Sequence, residues 1–128
     1  MKKLGMISLI VAATAFAHHQ FSTEFDAKKP MSLTGKVAKV EWREPHVQIF
    51  LDVKNEAGKT QQWQLEAARP DYLSQHGLKA ASFSKGATIK VDGYQALTNP
   101  HLLSARMLTV DGKEMEVADA HEDGGPAK

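Results

Sequence analysis

From His46 to Lys54 the side chains alternate cleanly, with Val47, Ile49, Leu51 and Val53 on one face and Gln48, Asp52 and Lys54 on the other. A period of two marks a strand with one buried and one solvated face, so this segment commits the chain to a sheet with an apolar side. Trp63, Leu65 and Ala67 alternate with Gln62, Gln64 and Glu66 in the same way, and Asn55-Glu56-Ala57-Gly58 between the two runs reads as a hairpin loop. Upstream, Ser32 to Trp42 is rich in β-branched and small residues, with Gly35 where a strand bends or bulges. Arg43-Glu44-Pro45 ends that strand, because proline cannot donate to a ladder.

Pro70 through His76 reads as a short helix, with proline in its first turn and Gly77 at its end. Two further strands follow, Ile89 to Tyr94 and Ser104 to Val110, and Asp111-Gly112 turns the chain into Lys113 to Val117. Three strands, a helix and two more strands is the order of an OB-fold. The expected fold is therefore mainly β: a small, five- to six-stranded antiparallel barrel with one short helix between strands three and four. An antiparallel sandwich or roll is the alternative.

The N-terminal residues carry an export signature. Lys2 and Lys3 precede an apolar run from Leu4 to Phe16, and Ala15-Phe16-Ala17 is a small-residue cleavage site. Residues 1–17 are thus expected to be a signal peptide, which places the protein in the periplasm or outside the cell. The apolar run is shorter than the roughly 20 residues that span a bilayer, so no membrane span is expected. Residues 18–30 read as an N-terminal arm, 31–118 as the barrel domain and 119–128 as a disordered polar tail. Loss of Lys2 and Lys3 turns the formal charge of +1 into −1. No clustered basic face is apparent, which argues against nucleic acid as a partner. With no cysteine, the fold rests on its core alone, and a monomer is expected.

His18-His19-Gln20-Phe21, Glu24-Phe25-Asp26, Leu33-Thr34-Gly35-Lys36-Val37, Val40-Glu41-Trp42-Arg43-Glu44-Pro45-His46 and Val91-Asp92-Gly93-Tyr94 together resemble an uncharacterised family of small secreted bacterial proteins, domain of unknown function 6152. The resemblance implies an OB-type barrel and brings no activity or catalytic residues with it. Glu44 departs from the asparagine that similar sequences more often have before Pro-His, and adds a negative charge there.

Cleavage after Ala17 would leave His18 as the amino terminus with His19 beside it. A terminal histidine offers its amine and ring to one ion, a second imidazole completes a T-shaped nitrogen set, and such tetragonal sets suit Cu(II). His46 and His101, each following a proline at an expected barrel rim, are the candidates for that imidazole. Copper or another divalent metal is thus the leading ligand. The competing reading is a module for a peptide, a glycan or an envelope protein, bound on a face carrying Trp42, Glu44, Phe50 and Tyr94, since OB barrels bind on strands two and three. Arbitrary polar residues at an exported terminus and rim histidines that merely cap strands would produce the same pattern without a metal.

Met31, Met107 and Met115 are isolated in sequence, and packing accounts for them better than soft-metal ligation, Met107 in the core and the other two at edges. Trp63 shares a face with Leu65 and reads as core. His76 suits a helix end, and His121 reads as solvated. No nucleophile elbow, phosphate loop, His-Glu-x-x-His or cysteine nucleophile is present. The pairs Glu24 with Asp26 and Glu41 with Glu44 have no spacing that sets them apart from surface carboxylates, so the chain is not expected to be an enzyme.

Overall fold

The computed structural model describes residues 21–126. Residues 21–24 are helical and lead into six strands, β1 (Phe25–Glu41), β2 (Gln48–Lys54), β3 (Thr60–Glu66), β4 (Thr88–Ala96), β5 (Leu102–Val110) and β6 (Lys113–Glu116). Helix α1 (Pro70–Gln75) and a 3-10 turn (Ala80–Ser82) lie between β3 and β4. The sheet order is β3-β2-β1-β4-β5-β6, and β3 also pairs with β5. That last pairing closes a circuit of five strands. It is parallel, Gln64 to Leu102 through Glu66 to Ser104, whereas the other ladders are antiparallel. The mainly β, OB-like expectation holds, with the closing ladder the one parallel exception.

β1 is long because it serves two neighbours. Its first part pairs with β4 and its second with β2, overlapping at Lys36. Gly35 sits at this hand-over, where an added Cβ would lie 2.6 Å from the Asp52 carbonyl oxygen, so only glycine lets the strands approach. The strand begins at Phe25, earlier than the sequence suggests, so residues 25–30 belong to β1, which pairs with β4 at Phe25 and again from Pro30 across an irregularity. Their polar side chains hid this, because this stretch is solvated on its side chains and held by its backbone.

Inside the circuit the alternating residues form one core: Ile49, Leu51, Leu65, Ile89, Val91, Leu103 and Leu108 are each no more than 1% exposed. Burying such a side chain contributes about 1.5–3 kcal/mol. Leu73, Leu78 and Phe83 join this core from the segment between β3 and β4. A second cluster lies outside the sheet, where Phe21, Phe25 and Ala96 pack with Tyr94 and Leu102.

Two readings need correction. Residues 119–126 form turns tied to the domain: the guanidinium of Arg69 bonds Asp119 at 3.0 Å and Glu122 at 2.7 Å, and the Asp119 amide donates to Asp123 at 2.8 Å. Their polarity serves these partners, which a composition reading cannot see. Met31 and Met115 pack on the main core, whereas Met107 stays half-buried outside it. Met107 is turned out by an irregularity in β5: Asp92 pairs with Met107 but Gly93 with Ala105, so Arg106 is an extra residue. A bulge of this kind re-aims side chains, here keeping Leu103, Ala105 and Leu108 all in the core.

Candidate functional site

The strand register lays out the floor of a cavity. Gln48 on β2 faces Glu66 on β3, Glu66 faces Ser104 on β5, and Ser104 faces Tyr94 on β4. Val47, Ile49, Leu65 and Leu103 turn inward, so this row turns outward. His46 precedes β2 by two residues and falls on the same outer side as Gln48, since side chains two apart share a face. Backbone bonds between Val47 and the Ala67-Ala68 pair extend the β2–β3 ladder to this point and fix the histidine at the rim.

Two walls rise from the floor. The helical residues 21–24 and the start of β1 bring Phe21, Glu24 and Phe25, and the C-terminal turn brings Glu122 and Asp123. The enclosed cavity is about 380 Å³. His46 stands between the two sources of charge, with Nε2 3.0 Å from Asp123 Oδ1 and Nδ1 3.2 Å from Glu66 Oε1. The hydrogen bond to Asp123 holds the imidazole pKa above its ordinary value; burial opposes this, and the charges of Glu66, Asp123 and Glu24 support it. Glu66 is also raised, chiefly by burial, against the pull of His46 and the Gln48 hydrogen bond, while Glu24 and Asp123 push it further up. The cavity gathers four carboxylates around one imidazole. Glu122 is partly offset by Arg69, and the remaining field favours a cation.

The sequence-derived candidates are distributed unevenly. His18 and His19 lie outside the described residues, but Phe21, three residues after His18, shares the cavity wall with His46. His101 does not line that cavity; its ring meets the edge of Trp63 at a centroid distance of 5.1 Å. Among the described residues, no three histidine, cysteine or carboxylate side chains converge as a metal-holding group.

The aromatic candidates do not share one exposed face. Trp42 packs against the main core, Phe50 lies under the Lys39 ammonium at 4.6 Å, and Tyr94 packs with Phe21. Glu44 is exposed beside Pro45. Glu66, Asp123 and Arg106 were not singled out from the sequence. Glu66 was legible in principle, as the polar residue facing Gln48 in the β2–β3 hairpin; Asp123, 77 residues from His46, carried no local signal.

Among the described residues no helix is long and apolar enough to cross a membrane. No curated protein matches the chain. Solved structures similar at low identity include the following two. The mitochondrial single-stranded DNA binding protein Rim1 of S. cerevisiae is 13% identical with a TM-score of 0.49, covering 65% of this chain and 93% of that one. The N-terminal domain of PriB from Thermoanaerobacter tencongensis, solved as a dimer, is 15% identical with a TM-score of 0.45, covering 67% and 99%. The family of unknown function DUF6152 matches residues 6–104, most of the length, and the chain belongs to that family.

Proposed function

We propose that this protein is an exported binding module for a divalent cation, with Cu(II) the leading ion. His46 supplies a rim imidazole, and signal cleavage after Ala17 supplies the amine and ring of His18, with His19 beside them. The observation that carries the reading is the cavity wall common to Phe21 and His46. Three residues of chain span at most about 10 Å, which is the reach this reading asks of the segment between His18 and Phe21.

The surrounding groups support the chemistry. Glu66 accepts from Nδ1 when the imidazole is neutral, which leaves the Nε2 lone pair for a metal and fixes the ring, as a carboxylate behind a ligating histidine does. Asp123, now on Nε2, is displaced or becomes an oxygen ligand. Nitrogen ligands in a tetragonal set suit Cu(II) over harder ions. When bound, the ion supplies Lewis acidity and one-electron redox capacity; nothing in the reading requires turnover.

The test is calorimetry with Cu(II) on processed protein starting at His18, beside a version with one extra N-terminal residue. The reading expects tight, stoichiometric binding that falls at least tenfold in the extended version. Equal, weak binding by both would discard it.

A further inference from the structure

β5 carries a charge that no described residue pairs. Arg106 is 4% exposed, and its Nε, Nη1 and Nη2 atoms have no hydrogen-bond partner among the described residues. The bulge opposite Gly93 places it on the outer side of the sheet, where its guanidinium lies 4.6 Å from the Phe21 ring and 5.8 Å from that of Tyr94. Ring faces attract a cation but do not satisfy its five N–H donors as oxygens would. A buried guanidinium without acceptors is costly, and the cost is relieved by a partner of opposite charge. Asp123 does not serve, because its oxygens are engaged by His46 and by the Asp119 amide.

A cavity of about 210 Å³ adjoins Arg106, with Tyr72, Glu116, Asp119, His121 and Pro126 in its wall. Asp119 is bonded to Arg69, whereas Glu116 makes no ion pair among the described residues. The Tyr72 ring is stacked on His76 and has the Arg69 guanidinium over it, so the exposed Glu116 carboxylate is the group that suits an ammonium, and the Arg106 guanidinium suits a carboxylate. The chain at Gly125 closes over the arginine: an added Cβ there would stand 2.1 Å from Nη2 and 2.8 Å from the Phe21 ring. A ligand reaches the guanidinium by displacing this glycine segment.

We infer that this cavity is a second binding site, for a small zwitterion that gives its carboxylate to Arg106 and its ammonium group to Glu116. Polyanions are disfavoured by Glu116 and Asp119, and simple amines leave Arg106 unfilled. The inference does not depend on metal at His46.

The experiment follows the Arg106 Nε–Hε resonance of metal-free, ¹⁵N-labelled processed protein, assigned by its loss in Arg106→Lys. Glycine betaine, acetate and tetramethylammonium are titrated in turn. Glycine betaine is expected to give a saturable shift at a concentration at least tenfold below acetate, with none from tetramethylammonium. In Glu116→Gln, a surface change compatible with folding, the advantage of betaine over acetate is expected to fall at least fivefold. Equal response to acetate and betaine, no response to either, or an undiminished advantage in Glu116→Gln would overturn the proposal.

Discussion

At the scale of residues, His46 is held through both ring nitrogens by carboxylates from distant parts of the chain, and its raised pKa is the thermodynamic trace of that grip. A histidine whose folded pKa exceeds its unfolded value contributes stability that is complete below about pH 6.5 and lost as pH rises through the folded value. Glu66, also raised, acts in the same direction, since the folded state keeps its proton to higher pH. Metal-free protein is therefore expected to melt at a higher temperature near about pH 6 than near about pH 8.5, and His46→Ala to flatten that difference; a profile rising with pH would contradict the account. Asp123→Ala removes the largest cause of the shift, and is expected to lower the His46 pKa, read by NMR titration, and to cost on the order of 1 kcal/mol. The sequence exposed His46 through its place after Pro45 at the head of an alternating strand. It could not expose Asp123, whose role depends on how the C-terminal turn folds back, nor the unpaired charge of Arg106, which depends on a bulge.

At the scale of elements, the strands were legible wherever one face is buried and the other wet, as in β2 and β3. They were misjudged where that contrast fails. The first residues of β1 pair with β4 at Phe25 and Pro30 across an irregularity, while most of their side chains stay in water. In β5 the extra residue Arg106 breaks the period of two, which turns Met107 out of the core that an unbroken alternation with Leu103 and Ala105 gives it. The close approach at the bulge gives a direct test: a Cβ at Gly93 would lie 2.0 Å from the Ser104 carbonyl oxygen, a backbone atom that cannot rotate away. Gly93→Ala is expected to destabilise by about 1–3 kcal/mol in denaturant unfolding; an unchanged midpoint would show that the β4–β5 register differs from the one described. The C-terminal turn is equally testable. Deleting residues 119–128 removes the Arg69 and His46 contacts and is expected to lower the melting temperature and return the His46 pKa toward its ordinary value.

At the scale of the whole molecule, the five-strand circuit does two things at once. Its interior takes the alternating apolar residues, and its outer rim brings the start of β2, the end of β3, residues 21–25 and the turn at Glu122 and Asp123 to one cavity. The strand order that makes this possible was readable from the succession of alternating runs around one short helix. The convergence of residues 21–25 with the turn at Glu122 and Asp123 was not, because it is fixed by side chains that meet only after closure. The central claim is that this convergence builds a nitrogen-rich metal site from His18 and His46. The most direct measurement is electron paramagnetic resonance of Cu(II) on processed protein starting at His18, compared with His46→Ala. The account predicts a tetragonal signal with several coupled nitrogens and the loss of one imidazole contribution in the variant. An identical signal in both proteins would place the copper elsewhere and contradict it.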